Sequence, residues 1–177
     1  MNKSKKIQNL TSIALMAAIV AVTAQITIPL PGGVPMTLQT FAVIAASIIV
    51  GPADSFSAML IYLLLGAVGL PVFSGFKGGL ACLAGPTAGF IISFPVMALL
   101  IGLGAKKNRQ TYIAMLILGM LFNYGAGLLM FCILTGSSAS AGIAACILPF
   151  IPADIVKAAV GSVLGFKVRK ILSLQHQ

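Results

Sequence analysis

The chain has 177 residues, of which 59% are apolar and only 7% charged, with eleven Lys and Arg against two Asp and Glu. A soluble domain carries about 25% charged residues and must cover a large surface with polar groups. This composition excludes a soluble domain and indicates a polytopic membrane protein.

The net charge of +9 follows from where the basic residues sit. Lys3, Lys5 and Lys6 precede the first apolar run; Lys106, Lys107 and Arg109 form a mid-chain cluster; Lys167, Arg169 and Lys170 follow the last apolar run. Only Lys77 and Lys157 lie outside these groups, and no aromatics are interleaved with basic residues, so a nucleic-acid partner is not indicated.

At about 20 residues per crossing, the chain predicts six transmembrane helices in an all-α fold, forming a single domain over residues 1–177. A first span covers 10–28, ended by the Pro-Gly break at Pro29–Pro35. A second, shorter one covers 36–50. Gly51-Pro52 is a turn, and the third span covers 56–70. Gly85-Pro86 opens a fourth over 86–103, and a fifth covers 112–134. Pro149 and Pro152 interrupt the last apolar region, which places the sixth helix at 152–168. The positive-inside rule puts both termini in the cytoplasm, because nine of the eleven basic residues then share that side. The basic, apolar N-terminal segment is read as a retained first helix rather than a cleaved signal.

Little in the sequence suggests catalysis. There is no phosphate-binding loop pattern, no nucleophile elbow and no metalloprotease motif. Cys82, Cys132 and Cys146 are isolated in apolar surroundings, and His176, the only histidine, sits on the C-terminal tail. No cofactor or metal site is expected.

The informative polar residues are few. Asp154 and Lys157 are three apart and share one helix face; at the bilayer centre each costs roughly 2.5–3.5 kcal/mol. They read as a ligand site, with Pro152 turning the helix N-terminus toward the same cavity. A self-neutralising pair near the outer interface is the alternative. The glycine-rich link from Gly69 through Lys77, Gly78 and Gly79 lets backbone approach a ligand, or is a flexible outer loop. It lies on the same side as the Pro29–Pro35 loop and the start of the last span, and the three are expected to close over one pocket. Small residues at Ala14 and Ala18, Ala17 and Ala21, and Gly161 and Gly165 permit close helix approach, either inside the bundle or toward a partner.

The run Ile28-Pro-Leu-Pro-Gly-Gly-Val-Pro-Met-Thr37-Leu-Gln39-Thr-Phe-Ala, then Gly51-Pro, Gly69-Leu-Pro-Val-Phe-Ser-Gly, Gly85-Pro-Thr-Ala-Gly-Phe and Phe150-Ile-Pro-Ala-Asp154-Ile-Val-Lys157-Ala resembles the BioY family over nearly the whole chain. These proteins are the biotin-capturing S components of energy-coupling-factor transporters. The resemblance implies a six-helix protein of the cell membrane that binds biotin near its outer face. Its implied partners are a transmembrane coupling subunit and two cytoplasmic ATPases, whose action moves the unit and releases biotin inside. It assigns substrate binding to Asp154, Lys157, Lys77, Gln39, Gly78 and Gly79, and docking on the coupling subunit to Ala14 and Ala18. Lys77 stands where the family often has glycine or an amide for the ureido ring, and a lysine there would instead attract the carboxylate from outside; Ala88 stands where a glycine is usual. The residues by themselves place an anionic group at Lys157 and N–H donors at Asp154, which the resemblance turns into a biotin carboxylate near Lys157. An S component for another vitamin, a stand-alone secondary transporter for a small organic anion and an intramembrane enzyme are the other classes weighed.

Overall fold

The computed structural model describes residues 3–30 and 32–174, so His176 and Pro31 lie outside the described residues. The described chain is mostly helical: α1 (Lys3–Ala24), α2 (Gln39–Val50), α3 (Pro52–Ala67), the single turn α4 (Leu80–Leu83), α5 (Ala88–Ile92), α6 (Phe94–Ala105), α7 (Arg109–Thr135), α8 (Ala139–Cys146) and α9 (Ile151–Leu174). A two-residue hairpin, β1 (Thr27–Ile28) with β2 (Met36–Thr37), joins α1 to α2, pairing Thr27 with Thr37 and Ile28 with Met36.

The elements depart from the sequence expectation at their ends. The first helix stops at Ala24 instead of reaching Ile28, because the Gln25 side chain turns back on the helix, donating to the Ala21 carbonyl at 3.0 Å. The apolar residues beyond it enter the hairpin. Met36 and Thr37, expected at the start of the second helix, form its other strand. The expected fourth span is two helices with a break at Ser93. Pro95 lacks an N–H and crowds the preceding turn, so the break falls just before it. The last helix does open at its proline, with Pro152 in its first turn, and meets α8 at 52°.

Helix α2 is the axis of the molecule. Residues Ala42 through Ile48 are all buried, and α2 packs on α1, α3, α6 and α9. Small residues set these approaches. Gly161 lies over the Phe41 carbonyl and Gly165 over Ile48, so that stripe of α9 is used within the bundle, against α2. A Cβ on Gly102 of α6 would stand 2.6 Å from Pro52 Cα. Around this core the outside is apolar: Leu15, Val22, Leu64, Leu121, Leu129 and Val163 are exposed. A surface of this kind is solvated by lipid, not water. Among the described residues α1 and α7 are individually long and apolar enough to cross a membrane, and the bent α8–α9 pair counts as a third crossing if its two helices form one span. Helices α2, α3 and α6 are apolar but have 12, 16 and 12 residues.

The two ends of the bundle differ. At one, Gly51 meets Lys106, and the Arg169 guanidinium donates to the Ala105 carbonyl at 2.8 Å, so the α2–α3 turn, the α6–α7 turn and the late part of α9 are neighbours. At the other end are the hairpin, the 69–87 loop and the α8–α9 bend. The turn at Gly51 needs its positive φ of 85° for the chain to reverse into Pro52.

Gly102→Ala should lower stability by about 1–3 kcal/mol through overpacking against fixed backbone, read as a fall in thermal midpoint in detergent. Gly125→Ala, where a Cβ meets nothing within 4 Å, should leave it unchanged or raise it.

Candidate functional site

At the hairpin end the bundle opens into a small, partly enclosed cavity. Its walls come from the segments the sequence singled out: Val34 and Pro35 from the hairpin loop, Ser74 from the glycine-rich loop, and Phe150, Asp154 and Lys157 from the start of α9. Phe90, Ile91 and Phe94, flanking the break between α5 and α6, add apolar wall, and Asn123 and Tyr124 of α7 also line the space. This combination of apolar walls and few polar groups suits a small organic ligand.

The polar centre is a closed arrangement about Asp154. Its Oδ1 accepts from Lys157 Nζ at 2.8 Å and from Thr40 Oγ1 at 3.1 Å, and its Oδ2 accepts from the Tyr124 hydroxyl at 2.6 Å. Asp154 is 2% exposed and Lys157 8%. It is the only salt bridge among the described residues. One turn of helix brings the two charges together, and α2 and α7 each contribute a hydroxyl, so three helices converge on a single carboxylate.

Gln39 opens α2 at the cavity wall. Thr37 donates to its Oε1 at 2.8 Å, and its Nε2 donates to the Tyr62 hydroxyl at 2.8 Å, which in turn donates to the Val72 carbonyl at 3.2 Å. Gln25 holds the same loop, donating to the Val72 and Phe73 carbonyls and accepting from the Phe76 N–H at 2.8 Å. Two glutamines therefore fix the glycine-rich loop to α1 and α2.

Of the sequence-predicted residues, Gln39, Asp154 and Lys157 line the one cavity. Lys77 is exposed in an adjoining polar vestibule that shares Pro35, Ser74, Thr87 and Ile91 with it. Gly78 and Gly79 lie behind, as backbone hinges. A Cβ on Gly78 would stand 2.3 Å from the Leu70 carbonyl oxygen, and Gly79 has φ 94° and donates its N–H to Gly66 at 2.7 Å. Ala14 and Ala18 are exposed on the outer face of α1, whereas Ala17, one residue away, is buried. The cavity also contains Thr40, Asn123 and Tyr124, which the sequence reading missed. A lone amide beside a tyrosine in the middle of a 27-residue apolar helix was the available signal.

Asp154→Asn should leave the Lys157 ammonium buried without its counter-charge and destabilise the ligand-free protein by about 3–5 kcal/mol. Asp154→Asn combined with Lys157→Met should recover most of that loss, both read as thermal midpoints in detergent.

Known proteins share this architecture. The model of the BioY family matches residues 1–174. The chain is 40% identical over 164 residues to the "Probable biotin transporter BioY" of Pyrococcus horikoshii, covering 93% of this chain and 98% of that one. It is 37% identical over 174 residues to the "Biotin transporter BioY2" of Lactococcus lactis subsp. cremoris, covering 97% and 95%. The crystal structure of the S-component for biotin from an ECF-type ABC transporter superposes with a TM-score of 0.87 at 27% identity, covering 96% of this chain and 95% of that one. This chain therefore belongs to the BioY family.

Proposed function

We propose that this protein is the biotin-binding S component of an energy-coupling-factor transporter, a transport subunit and not an enzyme. The observation that carries the reading is the cavity at one end of a lipid-facing bundle, with a buried carboxylate–ammonium pair among aromatic walls. Family membership and the likeness to a biotin S-component support it. The chain carries no phosphate-binding loop, so the energy for release comes from other subunits.

The six crossings in this reading are α1, α2, α3, the α5–α6 pair, α7 and α9, making one transmembrane domain with both termini cytoplasmic. Lys106, Lys107, Arg109 and Arg169 gather at the end of the bundle opposite the cavity, which by the positive-inside rule faces the cytoplasm. The shorter helices are accommodated by local thinning and by snorkelling flanks. The cavity then faces outward, and the exposed Ala14–Ala18 face of α1 is the docking surface for the transmembrane coupling subunit that carries the two ATPases.

The pairing of Lys157 favours the alternative in which Lys77, and not Lys157, takes the ligand's carboxylate. Its charge is already met by Asp154 at 2.8 Å, so a second carboxylate there would face an occupied partner. A neutral cyclic urea, with two N–H donors and one carbonyl, matches a cluster that offers both acceptors and donors. The carboxylate tail of biotin is then directed to Lys77, which has no ion-pair partner among the described residues. Gln39, Gly78 and Gly79 act here by holding the loop that carries Lys77.

Titration calorimetry on the purified protein tests the site. Lys157→Ala and Asp154→Ala should each weaken biotin binding by at least tenfold, and Lys77→Ala should weaken biotin more than its methyl ester. Unchanged affinity in both Asp154 and Lys157 variants would sink the assignment. Topology is tested by single cysteines in a background lacking Cys82, Cys132 and Cys146. Lys77→Cys should react with a membrane-impermeant maleimide in intact cells and Lys107→Cys only after lysis. Concentrative uptake by vesicles lacking any ATPase would instead favour a stand-alone transporter.

A further inference from the structure

We propose that Asn123 sets ligand specificity in this cavity, its side-chain carbonyl accepting a hydrogen bond from one ring N–H of the bound urea; this rests on the biotin reading above.

The argument begins at the break between α5 and α6. With the helix interrupted at Ser93, the Phe90 carbonyl is taken up by side chains: Ser93 Oγ donates to it at 3.0 Å and Asn123 Nδ2 at 2.8 Å. Asn123 Nδ2 also donates to Ser93 Oγ at 2.7 Å. The Ser93 hydroxyl has one proton, already given to Phe90, so toward Asn123 it is an acceptor. Both amide protons of Asn123 are thus engaged, and the flip of the amide is decided by chemistry. The reverse orientation would set its oxygen against the Phe90 carbonyl oxygen.

The consequence lies at the other atom. Among the described residues no donor reaches Asn123 Oδ1. The residue is 2% exposed and lines the cavity. Among those residues no side-chain nitrogen or oxygen is both sealed from the surroundings and without a partner, so Oδ1 keeps accessible surface, and this cavity is the space that Asn123 lines. An amide oxygen held rigidly at a cavity wall with no donor accepts one from the occupant, and an occupant that brings an acceptor or a methyl group there is rejected. Asp154, by contrast, already accepts from Lys157, Thr40 and Tyr124. Asn123 is the acceptor without a protein donor, and Ser93 is its positioning residue.

The test uses the purified full-length protein and three ligands, biotin and its two isomers methylated on one or the other ureido nitrogen. Wild type should bind biotin and reject one isomer by roughly 10- to 100-fold more than the other. Asn123→Ala should lose biotin affinity by a similar factor and, with it, the discrimination between the isomers. A packing defect alone would weaken all three ligands together and leave their ratios intact, so a retained ratio, or biotin binding within twofold of wild type, overturns the proposal. Ser93→Ala, which removes one of the two anchors of the amide and leaves it held by the Phe90 carbonyl alone, should reduce the discrimination in the presence of Asn123 and have no further effect on the ratio in the Asn123→Ala background. Additive effects on the ratio would also overturn it. Wild-type protein that fails to bind biotin would overturn the biotin reading itself, whereas binding with an unaltered ratio in Asn123→Ala removes only the role of Asn123.

Discussion

The rest of the structure is organised around one buried carboxylate. Asp154 lies in a bundle whose outer surface is hydrocarbon-facing, where an isolated charge is costly. It is tolerated because Lys157 sits one turn away and because Thr40 and Tyr124 add hydroxyl donors from two other helices. Those contacts have a geometric consequence. The first turn of α9 lies against the first turn of α2 and the middle of α7, and the cavity borders that meeting point, lined in part by the residues that neutralise the charge.

The same end of the molecule is where the backbone departs from regular helix. The hairpin, the break at Ser93 and the 52° bend between α8 and α9 all border the cavity. Within a membrane, carbonyl and N–H groups freed by such breaks need partners from the protein. Here the partners are amides: Gln25 for the Val72 and Phe73 carbonyls, Asn123 for the Phe90 carbonyl. Gln39 acts at one remove, through Tyr62. Each amide that repairs a break also fixes a stretch of cavity wall, so the repair of the backbone and the shape of the site are a single arrangement.

This explains which features were legible in the sequence. The scarcity of charge revealed the environment, and the i, i+3 spacing of Asp154 and Lys157 revealed their contact, because both depend only on composition and helical geometry. Pro152 marked the start of α9 for the same local reason. Helix ends were less legible: Ile26 and Ile28 are as apolar as the helix before them, and hydropathy does not distinguish a helix from a short hairpin strand. The bonds of Gln25 to residues 72, 73 and 76, and of Asn123 to residues 90 and 93, join segments distant in sequence or separated by a loop. They carry no periodicity to read.

The small-residue stripes show how structure resolves what pattern alone leaves open. Three had equal standing in the sequence. Gly161 and Gly165 lie against the backbone and side chains of α2, and adding a methyl at Gly165 would bring it to 3.0 Å from Ile48. Ala17 faces inward with Met16 and Val20. Ala14 and Ala18, by contrast, are exposed on the outer face of α1. In lipid there is no hydrophobic penalty for leaving alanines outside, but neither is there packing to gain from them, since association there depends on close backbone approach. On the reading proposed above, that small-residue strip is where a helix of the coupling subunit would approach most closely. It runs along α1, and Gln25, just beyond the end of that helix, accepts from the Phe76 N–H of the loop whose Ser74 lines the cavity, so on that reading a docked helix and the cavity wall are joined through one side chain.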